Sequence, residues 1–399
     1  MKGVFVYMED IVIVSAVRTP IGKFGGTLKN LTARELGTNV VKEAIKRAKL
    51  EPKDIDGGIF GNVIQAGTGQ NLARQILIDS DVPYKVPAMT INEVCGSGLK
   101  AVILGSQQIQ LNQANIVVVG GVESMSNAPH LIPNYRWEKT IDDKLMIDSM
   151  MNDGLTDSFS QEHMGITAEN VAKKYNITRE EQDQFAMESQ HKAERAQASG
   201  RFKDEIVPIP VKTETGDLIM FDTDEYIRKN VKMEDLEKLR TPFLEDGTVT
   251  AGNASGINDG AAALILMRKQ EAEDRGIEYF AVIKDYAEIG MNPDLMGYSP
   301  YYSINKLVEK TKVDLKEIDL FEINEAFAAQ SIPVIRDLDV DINKVNVNGG
   351  GIALGHPIGA SGARILVTLL HEMNKTGKKT GIASLCVGGG IGVSMLVER

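Results

Sequence analysis

The sequence predicts an α/β protein of two similar βαβ-rich halves with a long polar insertion between them. Three observations carry this. Continuous apolar runs of strand length, such as Asn115-Ile116-Val117-Val118-Val119-Gly120-Gly121, alternate with segments whose apolar residues recur at helical spacing. From about Asn127 to Gly252 that texture gives way to charged, methionine-bearing segments. At Gly260 to Met267 the apolar strand texture returns, and the remaining chain repeats the order of the first part. The chain thus divides into residues 1–126 with 253–278, an insertion over 127–252, and residues 279–399.

Taken in order, Ile11 to Ala16 reads as a buried strand. Thr32 is placed to cap a helix from Ala33 to about Lys49, with Leu36, Val40, Ala44, Ile45 and Ala48 on one face. Gly58 to Ile64 is the next strand, Leu72 to Ile78 a helix and Val86 to Ile91 a strand. A helix then begins near Ser97, since Leu99, Val102, Ile103 and Ile109 recur at its period. In the insertion, Thr167 to Ala198 reads as two amphipathic helices, with Thr178-Arg179-Glu180-Glu181 a capping box for the second. Long polar excursions of this kind carry binding residues, or are plain surface loops. In the second part, Ala281-Val282-Ile283 echoes the opening strand. Ile304 to Lys312 and Asp319 to Glu322 follow as helix and strand. Gly359 to Asn374 is a helix with Ile365, Leu366, Leu369, Leu370 and Met373 inward, and two strands end the chain over Gly381–Gly390 and Ile391–Val397.

Composition narrows the function. The 399 residues are 43% hydrophobic, enough for a large core. A net charge of −11, from 44 basic and 55 acidic residues, argues against a nucleic-acid or anionic-membrane binder. No apolar run approaches the ~20 residues of a membrane span. Two cysteines suit a reducing cytoplasm better than a disulfide framework, and supply no metal cluster. The first residues are too short and too acidic for a signal peptide, and Met8 is an alternative start.

Four stretches carry unusual chemistry, each expected at the carboxyl end of a strand, where open α/β sheets place their ligands. Cys95 lies in Asn92-Glu93-Val94-Cys95-Gly96-Ser97-Gly98, ahead of a helix N-terminus whose N–H groups and dipole favour a thiolate. Asn324 lies in Glu322-Ile323-Asn324-Glu325-Ala326-Phe327-Ala328. His356 sits among five glycines in Asn348 to Gly359, and Cys386 precedes Gly388-Gly389-Gly390. Each alone has an ordinary reading: a core thiol, a turn asparagine, a histidine bonded within its loop. Together, two thiols, a base and clustered backbone N–H groups point to acyl transfer through a thioester.

These residues resemble the thiolase family from Ile11 to Glu398. The matching motifs are Asn92 to Gly98, Asn253 to Ala261, Asn324 to Ala328, Gly355-His356-Pro357-Ile358-Gly359 and Cys386 to Gly390. The resemblance implies two halves in a five-layered α/β/α/β/α fold. It also implies coenzyme A thioesters as substrates, no metal or redox cofactor, and a dimer or dimer of dimers (a homotetramer). By resemblance Cys95 is the acylated nucleophile, His356 its base, and Cys386 the acid/base at the substrate α-carbon. Asn324 holds a water that forms one oxyanion hole with His356, and the N–H groups of Cys95 and Gly388 form the other. His163 and Ser255 match pantetheine contacts, and Arg228 the adenine end. Leu155, Met164, Met296 and Phe327 match the acyl pocket. The basic run Arg228, Lys229, Lys232, Lys238 and Arg240 suits the coenzyme A phosphates.

Gln161-Glu162-His163-Met164-Gly165 and Met296-Gly297 resemble the short-chain, biosynthetic branch, although Glu162 stands where an aromatic is common. The loop after Ala128 also departs, since Arg136 and Lys139 are followed by Asp142 and Asp143. The expected activity is the reversible condensation of two acetyl-CoA to acetoacetyl-CoA and CoA. The rivals are a thiolase of longer 3-ketoacyl-CoA and a non-catalytic acyl-CoA or lipid carrier.

Overall fold

Alternation along the strands sets the layers of the protein. The computed structural model describes residues 9–137, 146–213 and 215–399. The start at Met8 and the loop positions Lys139, Asp142 and Asp143 lie outside the described residues. Strands β1 (Ile11–Arg18), β2 (Gly57–Gly61), β3 (Ala88–Ile91), β4 (Ile116–Ser124) and β5 (Asn258–Arg268) stand in the order β1-β5-β4-β2-β3. Val12, Val14, Val118, Ile265 and Met267 point to one side, packed with residues of helices α1 (Ala33–Arg47) and α2 (Leu72–Asp79). Ile11, Ile13, Val117, Val119, Leu264 and Leu266 point to the other, onto α3 (Ser97–Gln110). A side-chain period of two produces this partition. The capping box at Thr32 forms with Glu35, and Lys49, at φ 57°, lies beyond the end of the helix. The strand expected over 58–64 stops at Gly61, because the next residues turn away to hydrogen-bond the Glu123 carboxylate.

The insertion carries α4 (Met164–Tyr175) and α5 (Arg179–Ala198), the latter opened by the Thr178–Glu181 capping box. Helix α4 starts three residues before the expected Thr167, because His163 caps it: Nδ1 accepts the Gly165 N–H at 2.9 Å. Arg18 of β1 anchors the insertion through Glu205 at 2.6 Å and Asp224 at 2.7 Å, all three buried. Losing one partner of such a pair costs about 3–5 kcal/mol, since the other charge stays buried.

The second half holds β6 (Ala281–Gly290), β7 (Leu320–Ile323), β8 (Thr380–Val387) and β9 (Ile391–Glu398), in the order β6-β9-β8-β7. Antiparallel pairing of Ile11–Ile13 with Ala281–Ile283 joins it to β1. Here Leu385, Val393, Met395 and Val397 face the shared central core. Phe321, Ile323, Ile382 and Leu396 face outward, onto α6 (Ser299–Thr311) and α7 (Ala328–Asp337). The central layer is α3 beside α8 (Ile358–Thr376), which completes the five-layered α/β/α/β/α arrangement. Every residue of α8 from Ile358 to Met373 is buried, so it has no solvent face, unlike the one-sided helix expected.

Two glycines let α3 and α8 touch. A Cβ on Gly98 would meet the Ala363 nitrogen at 2.5 Å, and one on Gly362 would collide with the Leu99 nitrogen. Their N-terminal ends therefore lie together, with Cys95 just before one and His356 just before the other. One expectation fails nearby: no strand precedes Asn348–Gly359. The side chain of Asn346 closes the edge of β7 instead, accepting the Ile323 N–H at 2.9 Å and donating to its carbonyl at 2.8 Å. Val345 keeps a single bridge to Phe321. No described helix is long and apolar enough to cross a membrane.

Candidate active site

The turn that carries Cys95 is held by its own side chains. Asn92 Oδ1 accepts the Val94 N–H at 2.9 Å. Ser97 Oγ accepts the Glu93 N–H at 2.8 Å and donates to the Val94 carbonyl at 2.7 Å. They fix Val94 at φ 45°, a left-handed conformation that costs a β-branched residue about 1–3 kcal/mol. Cys95 follows at the edge of the central core, where it lines a cavity of about 700 Å³.

His356, Gly388, His163, Met164, Ser255, Leu155, Met296 and Phe327 line the same cavity. Ser255 reaches it because residues 253–255 run against 326–328, with Ser255 N–H on the Ala326 carbonyl at 2.9 Å and Ala328 N–H on the Asn253 carbonyl at 2.8 Å. Asn324 and Cys386 are buried behind this wall, at 1% and 0% exposure. Arg228 is exposed outside the mouth. Its guanidinium stands 5.7 Å from the Tyr226 ring, a lining residue, and 3.4 Å from the carbonyl of Ala251, another. Lys238 turns instead to Asp235, at 4.0 Å.

The imidazole of His356 is gripped at both nitrogens. Asn324 Nδ2 stands 3.5 Å from Nε2, and Ser361 Oγ 2.5 Å from Nδ1. Ser361 spends its one proton on the Pro357 carbonyl at 2.8 Å, so it accepts from Nδ1–H. The lone pair then sits on Nε2. Burial, helped by the Arg364 charge, pushes this imidazole down to about 3, so it is a neutral base at physiological pH.

The thiolate expected at Cys95 is not the resting form. Burial pushes the thiol up to about 11, against the pull of the N–H groups of Gly388 and of Cys95 itself, and the charge of Glu123 adds to the rise. Desolvation outweighs the helix N-terminus. The two N–H groups that act on the sulfur are nonetheless the pair that the resemblance assigns to an oxyanion hole. Burial also raises Cys386, and a negative charge on Cys95 would raise it further, so the two sulfurs are close enough to couple. Cys386 Sγ donates to Gln330 Oε1 at 3.6 Å. His163 stacks on Phe243 at 4.6 Å, and its burial lowers its proton affinity.

A thiol, a neutral base, two converging N–H groups and a second thiol can accept and pass on an acyl group. Comparisons with known proteins agree. Residues 11–270 match the family model of the thiolase N-terminal domain, and residues 277–399 that of the thiolase C-terminal domain. The chain belongs to the thiolase family. This thiolase is 52% identical to acetyl-CoA acetyltransferases of Chromobacterium violaceum and Cupriavidus necator, over 98% of its length and 100% of theirs. It superposes on the Bacillus anthracis acetyl-CoA acetyltransferase with a TM-score of 0.95 at 45% identity, covering 98% of this chain and 99% of that one. The human mitochondrial 3-ketoacyl-CoA thiolase gives the same score and coverage at 41% identity.

Sequence reading of this thiolase missed Ser361 and Gln330. Gln330 left a faint trace as the N3 residue of α7, which accepts the N–H groups of Ala326 and Phe327 at 3.1 and 3.4 Å. Ser361 left none, since a hydroxyl five residues after a histidine is unremarkable until a helix turn brings them together. Phe24, Phe159 and Tyr226 also line the cavity and carry no motif. No group of three or more His, Cys, Asp or Glu suited to a metal ion occurs among the described residues.

Proposed function

We propose that this thiolase condenses two acetyl-CoA to acetoacetyl-CoA and CoA, reversibly, through an acetyl group on Cys95. The observation that carries the reading is the shared cavity of Cys95, His356 and the Gly388 backbone, with Cys386 buried beside it. The names of the relatives, acetyl-CoA acetyltransferase, support the two-carbon substrate.

In the first half-reaction Cys95 Sγ attacks the thioester carbonyl while its proton passes to His356 Nε2. The developing oxyanion meets the N–H groups of Cys95 and Gly388, which leaves the hole between His356 and a water held by Asn324, whose Oδ1 is buried without a protein partner among the described residues, for the enolate oxygen of the second half-reaction. The carbon–sulfur bond to CoA breaks. Cys386, neutral at rest, protonates the departing CoA thiolate and becomes a thiolate opposite the His356 imidazolium. In the second half-reaction Cys386 takes a proton from the α-carbon of a second acetyl-CoA. The resulting enolate carbon attacks the acetyl carbonyl on Cys95, whose oxygen is held by the N–H groups of Cys95 and Gly388. Cys95 leaves as thiolate and recovers its proton from His356.

The insertion over 127–252 binds the coenzyme A moiety, with His163 on pantetheine and Arg228 at the adenine end, and Ser255, just beyond the insertion, meets the pantetheine from across the channel. Leu155, Met164, Met296 and Phe327 close the acyl pocket to a short chain. Coenzyme A esters are substrates, and no cofactor is required. The protein works in the cytoplasm as a homo-oligomer, a dimer of dimers. Thiolysis rate against acyl length tests the assignment. Acetoacetyl-CoA should be cleaved at least tenfold faster than 3-ketoacyl esters of eight carbons or more, whereas equal rates would favour the long-chain reading.

A further inference from the structure

Glu123 is fully buried near the end of β4, and the reaction above makes no use of it. Its two oxygens accept four hydrogen bonds. Oε1 takes the Asn62 amide at 2.7 Å and the Ile64 N–H at 3.1 Å, and Oε2 takes the Val63 N–H at 3.0 Å and the Gly359 N–H at 2.9 Å. Each donor belongs to a segment that shapes the cavity. Val63 and Ile64 form a small core with Met125, Met150 and Ile358, against which Cys95 packs. Gly359 stands three residues after His356, in the first turn of α8. The fit is close, since a Cβ on Gly61 would meet the Gly359 carbonyl at 2.9 Å and one on Gly359 would meet Glu123 Oε2 at 2.7 Å.

We propose that Glu123 is a positioning residue for this active site: its carboxylate clamps the 62–64 turn to the start of α8, and so holds the His356 loop against the wall that carries Cys95. The inference rests on Cys95 and His356 being the working pair. Four N–H donors match an ionised carboxylate, because a proton on either oxygen would face a donor. Burial pushes this carboxyl up to about 7, against the three backbone N–H groups, and Asp259 adds to the rise. The titratable groups that face it are Asp259 from β5 and Cys95 from the start of α3. The turn and α8 present N–H groups and the Asn62 amide. The clamp therefore engages as pH rises through about 7.

Its test is the alkylation rate of Cys95 by iodoacetamide in the folded full-length protein, mapped on its peptide from pH 5.5 to 9, beside single-turnover acylation by acetyl-CoA. Wild-type alkylation should show an inflection near neutrality besides the rise of the thiol itself. Glu123→Gln should abolish that inflection and, with the charge gone, alkylate at least twofold faster at pH 9. Its acylation should nonetheless fall at least tenfold, with KM for acetyl-CoA within twofold. A more reactive thiol in a slower enzyme is the mark of lost alignment. Asn62→Ala removes one donor and should move the inflection to higher pH, a readout that stands even if Glu123→Gln does not fold. An inflection absent from the wild type or unmoved in Asn62→Ala, or wild-type acylation by a folded Glu123→Gln, would overturn the proposal. Alkylation needs no acetyl transfer, so an error in the proposed reaction would show separately, as normal alkylation without acylation in the wild type.

Discussion

Asn324 Nδ2 lies 3.5 Å from His356 Nε2, on the opposite side of the ring from Ser361 Oγ at Nδ1. The two contacts do different work. Ser361 fixes which nitrogen carries the proton, and in the proposed reaction Asn324 marks where the other nitrogen meets the substrate oxygen. Both partners are buried, so neither contact is diluted by solvent.

Ser361→Ala should release the tautomer without touching substrate. Acylation is expected to slow by about 10- to 100-fold, a part of the 10²–10⁴ that a general base contributes. KM for acetyl-CoA should stay within twofold, and Ser361→Thr, which restores the hydroxyl, should recover part of the rate. Single-turnover acylation of the three proteins checks this, and equal rates would show that Ser361 does not orient the base.

Stability should fall with acid in a way traceable to His356. Its folded value of about 3 lies below the ordinary 6.5, so between these values the unfolded chain binds a proton that the folded chain refuses. Its contribution is complete above pH 6.5 and is lost as pH falls toward 3. Urea unfolding of wild type and His356→Gln from pH 4 to 8 should show a shallower acid decline in the variant. Parallel curves would mean that the imidazole is not held neutral.

Arg228→Ala should raise KM for acetyl-CoA about fivefold, the ~1 kcal/mol of an exposed charge contact, and weaken the salt dependence of KM. Arg228 is exposed outside the mouth and does not line the cavity, so kcat should change little. A large loss of kcat at unaltered KM would count against a binding role.

What could be read from the sequence was mostly short-range. The helix start at Ser97, the cap at Thr32 and the box at Thr178 follow from residues nearby in sequence, and all three form. Three of the four chemical stretches were visible because glycine, cysteine and histidine are conspicuous, and the fourth because Asn324 and Glu325 are polar residues directly after an apolar run. Three features were not legible. The His163 cap uses a ring nitrogen in place of a hydroxyl or carboxylate. Asn346 closes a sheet edge with a side chain, which mimics a strand only in three dimensions. The state of Cys95 depended on a contest between a helix N-terminus and burial, and the extent of burial becomes known only once α3 and α8 have packed between the sheets.

The central claim is that two cysteines divide the reaction, with Cys95 carrying the acyl group and Cys386 handling the carbon acid. Cys386→Ser separates the steps, because CoA can still leave as a thiolate without a proton from this side chain, whereas a serine hydroxyl is too weak an acid to supply the base at the α-carbon. The most direct measurement is intact-protein mass spectrometry of Cys386→Ser after acetyl-CoA, with peptide mapping and a parallel assay of condensation. One acetyl group on the Cys95 peptide, stable over time, with condensation down by at least about 10²-fold is the predicted result. An acetyl group that maps to another residue, or condensation at the wild-type rate, would contradict it.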